Sequence, residues 1–142
     1  METLLHELVG KKVTYSKTGG GAGAILLVIV NNNNAIWTLC YWEIYKGENL
    51  LATANDDVTP ITGKMAVAAH ALLGETVEEV YIDDEYNLMV FFSNDLELYL
   101  YRDAYENDEC DIDESWEYQI PHLDKTYVIM RNKKMREEKY YE

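Results

Sequence analysis

Alternation of apolar and polar residues dominates the chain and predicts an antiparallel sheet. Residues 96–101 alternate leucine with glutamate or tyrosine, the period of two expected for a strand with one buried face and one wet face. Similar patterns predict strands at 11–16, 24–30, 35–45, 76–82, 88–92, 96–102, 115–120 and 125–130. Asparagine and aspartate at 31–34 and 93–95 predict tight reversals between strands, because these residues tolerate left-handed backbone conformations.

Helical periodicity is confined to two short stretches. The first covers residues 2–8 and ends near Gly10, a residue suited to a helix C-terminus. The second begins at Thr59-Pro60, since proline fits the first helical position, and its apolar residues recur at helical spacing until Gly74. Few helices among many hairpins predict an α+β fold, with a curved, mostly antiparallel sheet and two short helices.

The chain also shows a weak internal repetition. Segment 8–10, Leu-Val-Gly, is echoed by segment 72–74, Leu-Leu-Gly, and Trp-Glu at 42–43 is echoed at 116–117. We predict one domain, 1–130, that contains two α-β-β-β units, 1–58 and 59–130. A polar C-terminal tail, 131–142, follows it and is expected to be a frayed helix or disordered.

Length and composition restrict the possible classes of protein. The 142 residues fit one domain, and the 48% hydrophobic content argues against disorder. No apolar run approaches the ~20 residues of a membrane-spanning helix. The N-terminus is acidic where a secretory signal would be basic, so we expect a cytoplasmic protein.

The charge is large and unevenly distributed. The formal net charge is −14, and residues 75–124 alone carry 17 acidic residues and one basic residue. Residues 125–142 carry a net charge of +3. Such an acidic chain disfavours nucleic acid and anionic membranes and attracts basic proteins. The alternative is that the acids serve only solubility.

No pattern for catalysis or metal binding is complete. The glycine-rich segment 19–23 precedes a predicted strand and lacks the Lys-Ser/Thr of a phosphate loop. The acidic run 108–114 lacks the glycine and glutamate spacing of a calcium loop. The histidines and cysteines have no zinc-ligand spacing, and Cys40 is expected to be a buried free thiol. We predict a non-enzyme without cofactor or metal; a small enzyme that uses Cys40 or a histidine is the remaining alternative.

The second unit is longer than the first, and its extra length is acidic. Gly10 and Trp42 are 32 positions apart, whereas Gly74 and Trp116 are 42 apart. Loops accept insertions and often carry recognition, and tyrosines supply contact area with few rotatable bonds. The matched tryptophans are predicted to pack in the core, and Tyr101 is a further interface candidate. The predicted partner-binding residues are Asp103, Tyr105, Glu106, Asp108, Glu109, Asp111, Asp113, Glu114 and Tyr118.

These features together resemble the small acidic immunity proteins of bacterial contact-dependent inhibition and polymorphic toxin systems. The resemblance lies in the two Leu-x-Gly segments, the hairpin at 88–101 and the Glu-Ser-Trp at 114–116. It implies a cytoplasmic protein that binds and neutralises a cognate toxin domain, often a basic nuclease, by occupying its surface. A monomer or weak homodimer is expected, since sheet edges can pair. The alternative is a non-enzymatic interaction or structural domain with another partner.

Overall fold

The computed structural model describes residues 1–18, 25–56, 62–103 and 114–140. Helix α1 spans Glu2–Leu5 and continues as a 3-10 turn, His6–Leu8, and helix α2 spans Lys64–Ala71. The strands are β1 Val13–Thr18, β2 Leu26–Val30, β3 Asn34–Thr38, β4 Tyr41–Lys46, β5 Asn49–Thr53, β6 Val77–Ile82, β7 Leu88–Phe92, β8 Leu96–Tyr101, β9 Glu114–Ile120, β10 Lys125–Met130 and β11 Met135–Glu138. A 3-10 turn, Pro121–Leu123, joins β9 to β10.

The strands form two antiparallel sheets. One sheet has six strands in the order β1-β2-β3-β9-β10-β11, and the other has five in the order β5-β4-β8-β7-β6. Antiparallel pairing and two short helices confirm the predicted α+β class. The sequence predicts one curved sheet, whereas the structure divides the strands between two.

One cluster of buried apolar side chains joins the two sheets. Trp42 on β4 and Trp116 on β9 are both fully buried in it, which confirms their predicted place in the core. Leu8 beside α1 and Met65 on α2 belong to the same cluster. The helices therefore help to close the core, and each sheet keeps an outward face.

The two halves of the chain exchange hairpins. Strands β1-β2-β3 of the N-terminal half extend into β9-β10 of the C-terminal half, and β6-β7-β8 extend into β4-β5. The joining pairs are β3 with β9 and β4 with β8. Neither sheet is therefore complete without strands from both halves.

Matched backbone hydrogen bonds join the starts of β1 and β6. The N–H of Gly10 donates to the carbonyl of Val77 (2.7 Å), and the N–H of Gly74 donates to the carbonyl of Val13 (2.9 Å). Both glycines have positive φ, +86° and +84°, a conformation that costs glycine little. The two contacts are related by one shift of 64 positions, the same shift that separates Gly10 from Gly74.

Two expectations about strands were wrong. The predicted strand 35–45 is two strands in different sheets, because the chain leaves the first sheet at Leu39 and Cys40, whose N–H groups both donate to the carbonyl of Ser115. A continuous run of apolar and aromatic residues does not reveal such a crossing. The predicted polar tail contains β11, which pairs with β10. Its polarity fits an edge strand whose residues are all exposed.

Two features singled out in the sequence lie outside the described residues. They are the glycine-rich segment 19–23 and the helix start at Thr59-Pro60. The described part of the second helix begins at Lys64, after Gly63.

Hairpin exchange predicts that a cut between the halves leaves them associated. A protease site placed within residues 57–61 and then cleaved should give two fragments that elute together at the volume of the intact protein. The reason is that β3–β9 and β4–β8 pairing and the shared core still join them. Size-exclusion chromatography with and without denaturant measures this, with uncut protein as control. Separation of the fragments in native buffer would show that the exchange does not hold the halves together.

Candidate partner-binding surface

Most of the predicted partner-binding residues lie outside the described residues. These are Tyr105, Glu106, Asp108, Glu109, Asp111 and Asp113. The structure describes Asp103, at the end of β8, and Glu114 and Tyr118, on β9. Only these three can be placed.

The two described carboxylates lie against bases of the C-terminal segment. Asp103 Oδ1 is 3.9 Å from Arg131 Nε, and Glu114 Oε1 is 3.0 Å from Arg136 Nη2. The positive charge of residues 125–142 therefore partly neutralises the two described ends of the acidic segment.

Tyr118 is part of the core, which corrects its predicted place at an interface. The side chain is fully buried, with 0% relative exposure. Its hydroxyl accepts a hydrogen bond from Asn34 Nδ2 (2.7 Å) and donates to the carbonyl of Leu4 (2.7 Å). Burial raises the pKa of Tyr118 to about 12, although the Asn34 hydrogen bond lowers it. The residue joins β3, β9 and α1.

A different surface combines tyrosines with carboxylates: the outward face of the five-stranded sheet. Strands β4 and β8 alternate between buried and partly exposed residues, so their leucines and Trp42 turn inward and their tyrosines and glutamates turn outward. We call this surface the tyrosine–glutamate face and define it by Tyr41, Glu43, Tyr45, Glu79, Tyr81, Phe91, Glu97, Tyr99 and Tyr101.

Glu43 is the centre of the hydrogen bonding on this face. Its Oε1 accepts from the hydroxyls of Tyr101 (2.8 Å) and Tyr45 (3.2 Å), and its Oε2 accepts from the hydroxyl of Tyr41 (2.9 Å). Three phenols thus hold one carboxylate in a fixed position. Two of them lie on its own strand and the third lies on β8.

The other two carboxylates each accept from one tyrosine. The hydroxyl of Tyr99 donates to Glu97 Oε1 (2.7 Å), and that of Tyr81 donates to Glu79 Oε2 (2.8 Å). None of the ion pairs within the described ranges involves a glutamate of this face. Among the described residues these three carboxylates therefore accept hydrogen bonds from phenols and form no ion pair.

The single base of the acidic segment 75–124 turns away from this face. Arg102 is 8% exposed, its Nε donates to the carbonyl of Glu85 (2.6 Å), and its Nη2 lies 3.4 Å from Glu85 Oε2. Its Nη1 donates to the carbonyl of Arg131. The guanidinium thus joins loops at the end of β8, and the negative potential of the face persists.

Aromatic rings form a continuous row across four strands. Tyr45 contacts Tyr99 edge to face (5.5 Å between centroids, 86°), and Tyr99 contacts Phe91 (6.2 Å, 84°). Phe91 in turn contacts Tyr81 (5.7 Å, 79°). Each contact has the perpendicular geometry that aromatic quadrupoles favour. The row places packed aromatic rings between the carboxylates of the face.

The phenols on this face resist ionisation. Burial, followed by the hydrogen bond to Glu97, raises the pKa of Tyr99 from 10.0 to about 12. Burial and then Glu43 raise the pKa of Tyr101 in the same direction. Neutral phenols beside ionised carboxylates are hydrogen-bond donors and keep electron-rich ring faces, an arrangement suited to cations.

The described residues contain no cluster of metal ligands, and their free thiol is buried. Cys40 is a buried free thiol, as expected, and desolvation raises its pKa to about 11, which disfavours the nucleophilic thiolate. No group of three or more His, Cys, Asp or Glu side chains in the described ranges could hold a metal ion. Within those ranges no helix is long and apolar enough to cross a membrane.

The alternation and the composition of each strand of this face are visible in the sequence, but the pairing of those strands is not. Residues 41–46 and 96–101 both place tyrosine and glutamate at every second position. The pairing of β4 with β8, which puts Glu43 beside Tyr99, joins residues from the two halves of the chain. Tyr101 is predicted as an interface residue because it is interleaved with acidic residues in the sequence. In the structure it is 36% exposed on this face.

Comparison with protein-family models, with curated proteins and with solved structures found no match. The surface must therefore be interpreted from its own geometry and charge.

Removing the hydroxyl of Tyr118 should destabilise the protein. Tyr118→Phe leaves Asn34 Nδ2 and the Leu4 carbonyl without this partner, at a cost of about 1–3 kcal/mol in the free energy of unfolding. The matched control is Tyr15→Phe, since Tyr15 is 41% exposed and its loss should be close to neutral. Urea denaturation of the variants measures both values. Equal stability of the two variants would contradict a structural role for the buried hydroxyl.

Alkaline pH should destabilise the protein through the tyrosines of this face. The unfolded chain ionises Tyr99 near pH 10.0, whereas the folded protein ionises it at about 12. The resulting stabilisation is complete below pH 10 and is lost as the pH rises towards 12. In Glu97→Gln the pKa of Tyr99 should fall towards its ordinary value, with Glu2→Gln as control. Tyrosine ring-carbon NMR measures each titration, and an unchanged pKa in Glu97→Gln would contradict the role of that carboxylate.

Proposed function

We propose that this protein binds and neutralises a cationic toxin domain, such as a basic nuclease, as an immunity protein in the cytoplasm of the cell that produces the toxin. The observation that most directly supports this is the tyrosine–glutamate face, where three carboxylates lie among aromatic rings without a described basic partner. In this proposal the protein acts by binding alone, as a monomer or weak homodimer, and needs no cofactor.

Long-range electrostatics supports a cationic partner. Residues 75–124 carry 17 acidic residues, and strands β6, β7 and β8, which form most of the face, belong to that segment. Complementary potentials raise association rates by roughly tenfold to a thousandfold. A toxin that acts on a polyanion needs a basic surface, so an acidic inhibitor would meet the surface on which the toxin depends.

Short-range contacts support a protein partner over a small ion. Tyrosines anchor interfaces because they bury a large area and can donate a hydrogen bond at little entropic cost. The row from Tyr45 to Tyr81 crosses four strands and is broader than a single small ligand requires. Inhibition would then follow from occupancy of the toxin surface.

The acidic segment 103–114 would extend the same contact. It follows β8 directly in the chain, and β8 carries Glu97, Tyr99 and Tyr101 of the face. Its contacts remain those predicted from the sequence, with Tyr118 removed. The net charge of the pair Asp103 and Glu114 is reduced by Arg131 and Arg136, so we expect smaller effects from these two acids than from Glu97.

Charge reversal on the face should slow association with the toxin. If the proposal holds, the cognate toxin gene should lie next to this one; the test uses the toxic domain encoded there, purified, and surface plasmon resonance at low and high salt. Glu79→Lys combined with Glu97→Lys should lower the association rate about tenfold or more at low salt and flatten its salt dependence. The control, Glu2→Lys with Glu7→Lys, makes the same change in net charge on the N-terminal helix and turn.

The same variants can be tested in cells that express the toxic domain. Wild-type protein and the control variant should restore growth, and the face variant should restore it poorly. Equal association rates for the two double variants would remove this face from the proposal. Full growth arrest in the presence of wild-type protein, without measurable binding, would instead favour the alternative of an interaction or structural domain with another partner.

A further inference from the structure

A cleft lies at one end of the tyrosine–glutamate face, where the β4–β5 turn lies beside β8. It has a volume of about 360 Å³ and is lined by Tyr45, Gly47, Glu48, Glu97, Tyr99 and Tyr101. This volume is at the low end of the range for ligand clefts, about 300–1,000 Å³. It suits one side chain better than a cofactor.

The walls of the cleft combine aromatic rings with carboxylates. Tyr45 and Tyr99 stand at 86° to each other, so the cleft has an aromatic face and an aromatic edge. Glu97 uses Oε1 to accept from Tyr99, and no donor among the described residues occupies its Oε2. None of the described residues that line the cleft is a lysine or an arginine. One carboxylate oxygen is thus available to a cation seated against a ring.

The turn beside the cleft is fixed before any ligand arrives. Gly47 has φ +58°, and its N–H donates to the carbonyl of Asp95 (2.8 Å) in the β7–β8 turn. The bond joins the turns of the two hairpins across the exchanged pair β4–β8. A cleft held in this way has little conformational entropy left to lose when it is filled.

We propose that this cleft receives an arginine side chain of the partner protein, with its guanidinium between the Tyr45–Tyr99 rings and the carboxylate of Glu97. The inference rests on the proposed function, because it names the chemistry by which the cationic partner is anchored. Guanidinium is planar, stacks on aromatic rings and pairs with carboxylates through a fork of N–H donors, whereas ammonium is a compact, strongly hydrated charge. The aromatic walls favour guanidinium, which can stack on a ring, and the carboxylates of Glu97 and Glu48 both line the cleft as acceptors for its N–H groups.

The probe for this test is a short blocked peptide with one arginine, added to the intact protein and followed by two-dimensional NMR. The amide signals of Gly47 and Glu48 and the ring signals of Tyr45 and Tyr99 should shift and saturate. The citrulline peptide, which is neutral and nearly the same shape, should cause no saturable shift. The lysine peptide should bind several-fold more weakly than the arginine peptide.

Variants locate the binding within the cleft. Glu97→Gln should weaken the arginine peptide roughly threefold to tenfold, as expected for a partly exposed ion pair with a stacking contribution. The matched control, Glu79→Gln, removes an equal charge beside Tyr81 on β6 and should have little effect. Tyr99→Phe keeps the ring and loses only the hydroxyl that donates to Glu97, so it should retain most of the binding. Retained binding in this variant would show that the loss in Glu97→Gln is not caused by disruption of the cleft when that hydrogen bond is broken.

Several outcomes would overturn the inference. They are equal weakening by Glu97→Gln and Glu79→Gln, equal binding of lysine and arginine peptides, or tighter binding of free L-arginine, which would indicate a metabolite site. The peptide test contains no toxin, so its failure leaves toxin binding to be judged separately. Conversely, a cleft that binds the arginine peptide in a protein that does not bind the toxin would contradict only the proposed function.

Discussion

The exchange of hairpins between the two halves is the constraint on which the rest of the structure depends. Glu43 and Tyr101 are neighbours only because β4 of the first half pairs with β8 of the second. The same exchange places β9 beside β3, where Tyr118 reaches Asn34 and Leu4. Both the core and the outward face of the five-stranded sheet therefore require contacts between residues far apart in sequence, and the matched hydrogen bonds of Gly10 and Gly74 fix how the halves meet.

The two sides of β4 and β8 differ in composition: one is apolar and buried, and the other carries tyrosines and glutamates. The inward residues of β4 and β8, such as Trp42 and Leu98, are fully buried and supply the apolar burial that stabilises the sheet. Hydrogen bonds on the outward side, between phenols and carboxylates near solvent, contribute little net stability because water competes for both partners. The aromatic contacts between β4, β8, β7 and β6 add cross-strand packing on the outward side.

Sequence patterns correctly predicted the elements that depend on interactions between residues close together in the chain. Hairpin β7–β8 and strand β10 lie where alternation and turn residues placed them, because both signals arise within a few residues. The separation of β3 from β4 and the pairing of β11 depend on distant partners, and the burial of Tyr118 does as well, so no short window contains them. For the same reason the sequence shows only part of the tyrosine–glutamate face. The alternation within β4 and within β8 can be read from each strand, but only the pairing in the sheet shows that their outward residues are neighbours.

The positions of the basic residues determine where negative charge remains on the surface. Arg131 and Arg136 lie against the described ends of the acidic segment, and Arg102 is buried beneath the loops. If the acids served only solubility, bases would be expected to intersperse with them evenly, since self-repulsion is thereby reduced. None of the described ion pairs involves Glu43 or Glu97, and the neighbouring tyrosines donate hydrogen bonds to these carboxylates without cancelling their charge. A carboxylate held by neutral phenols retains its attraction for a cation, so the arrangement preserves negative potential beside the row of aromatic rings.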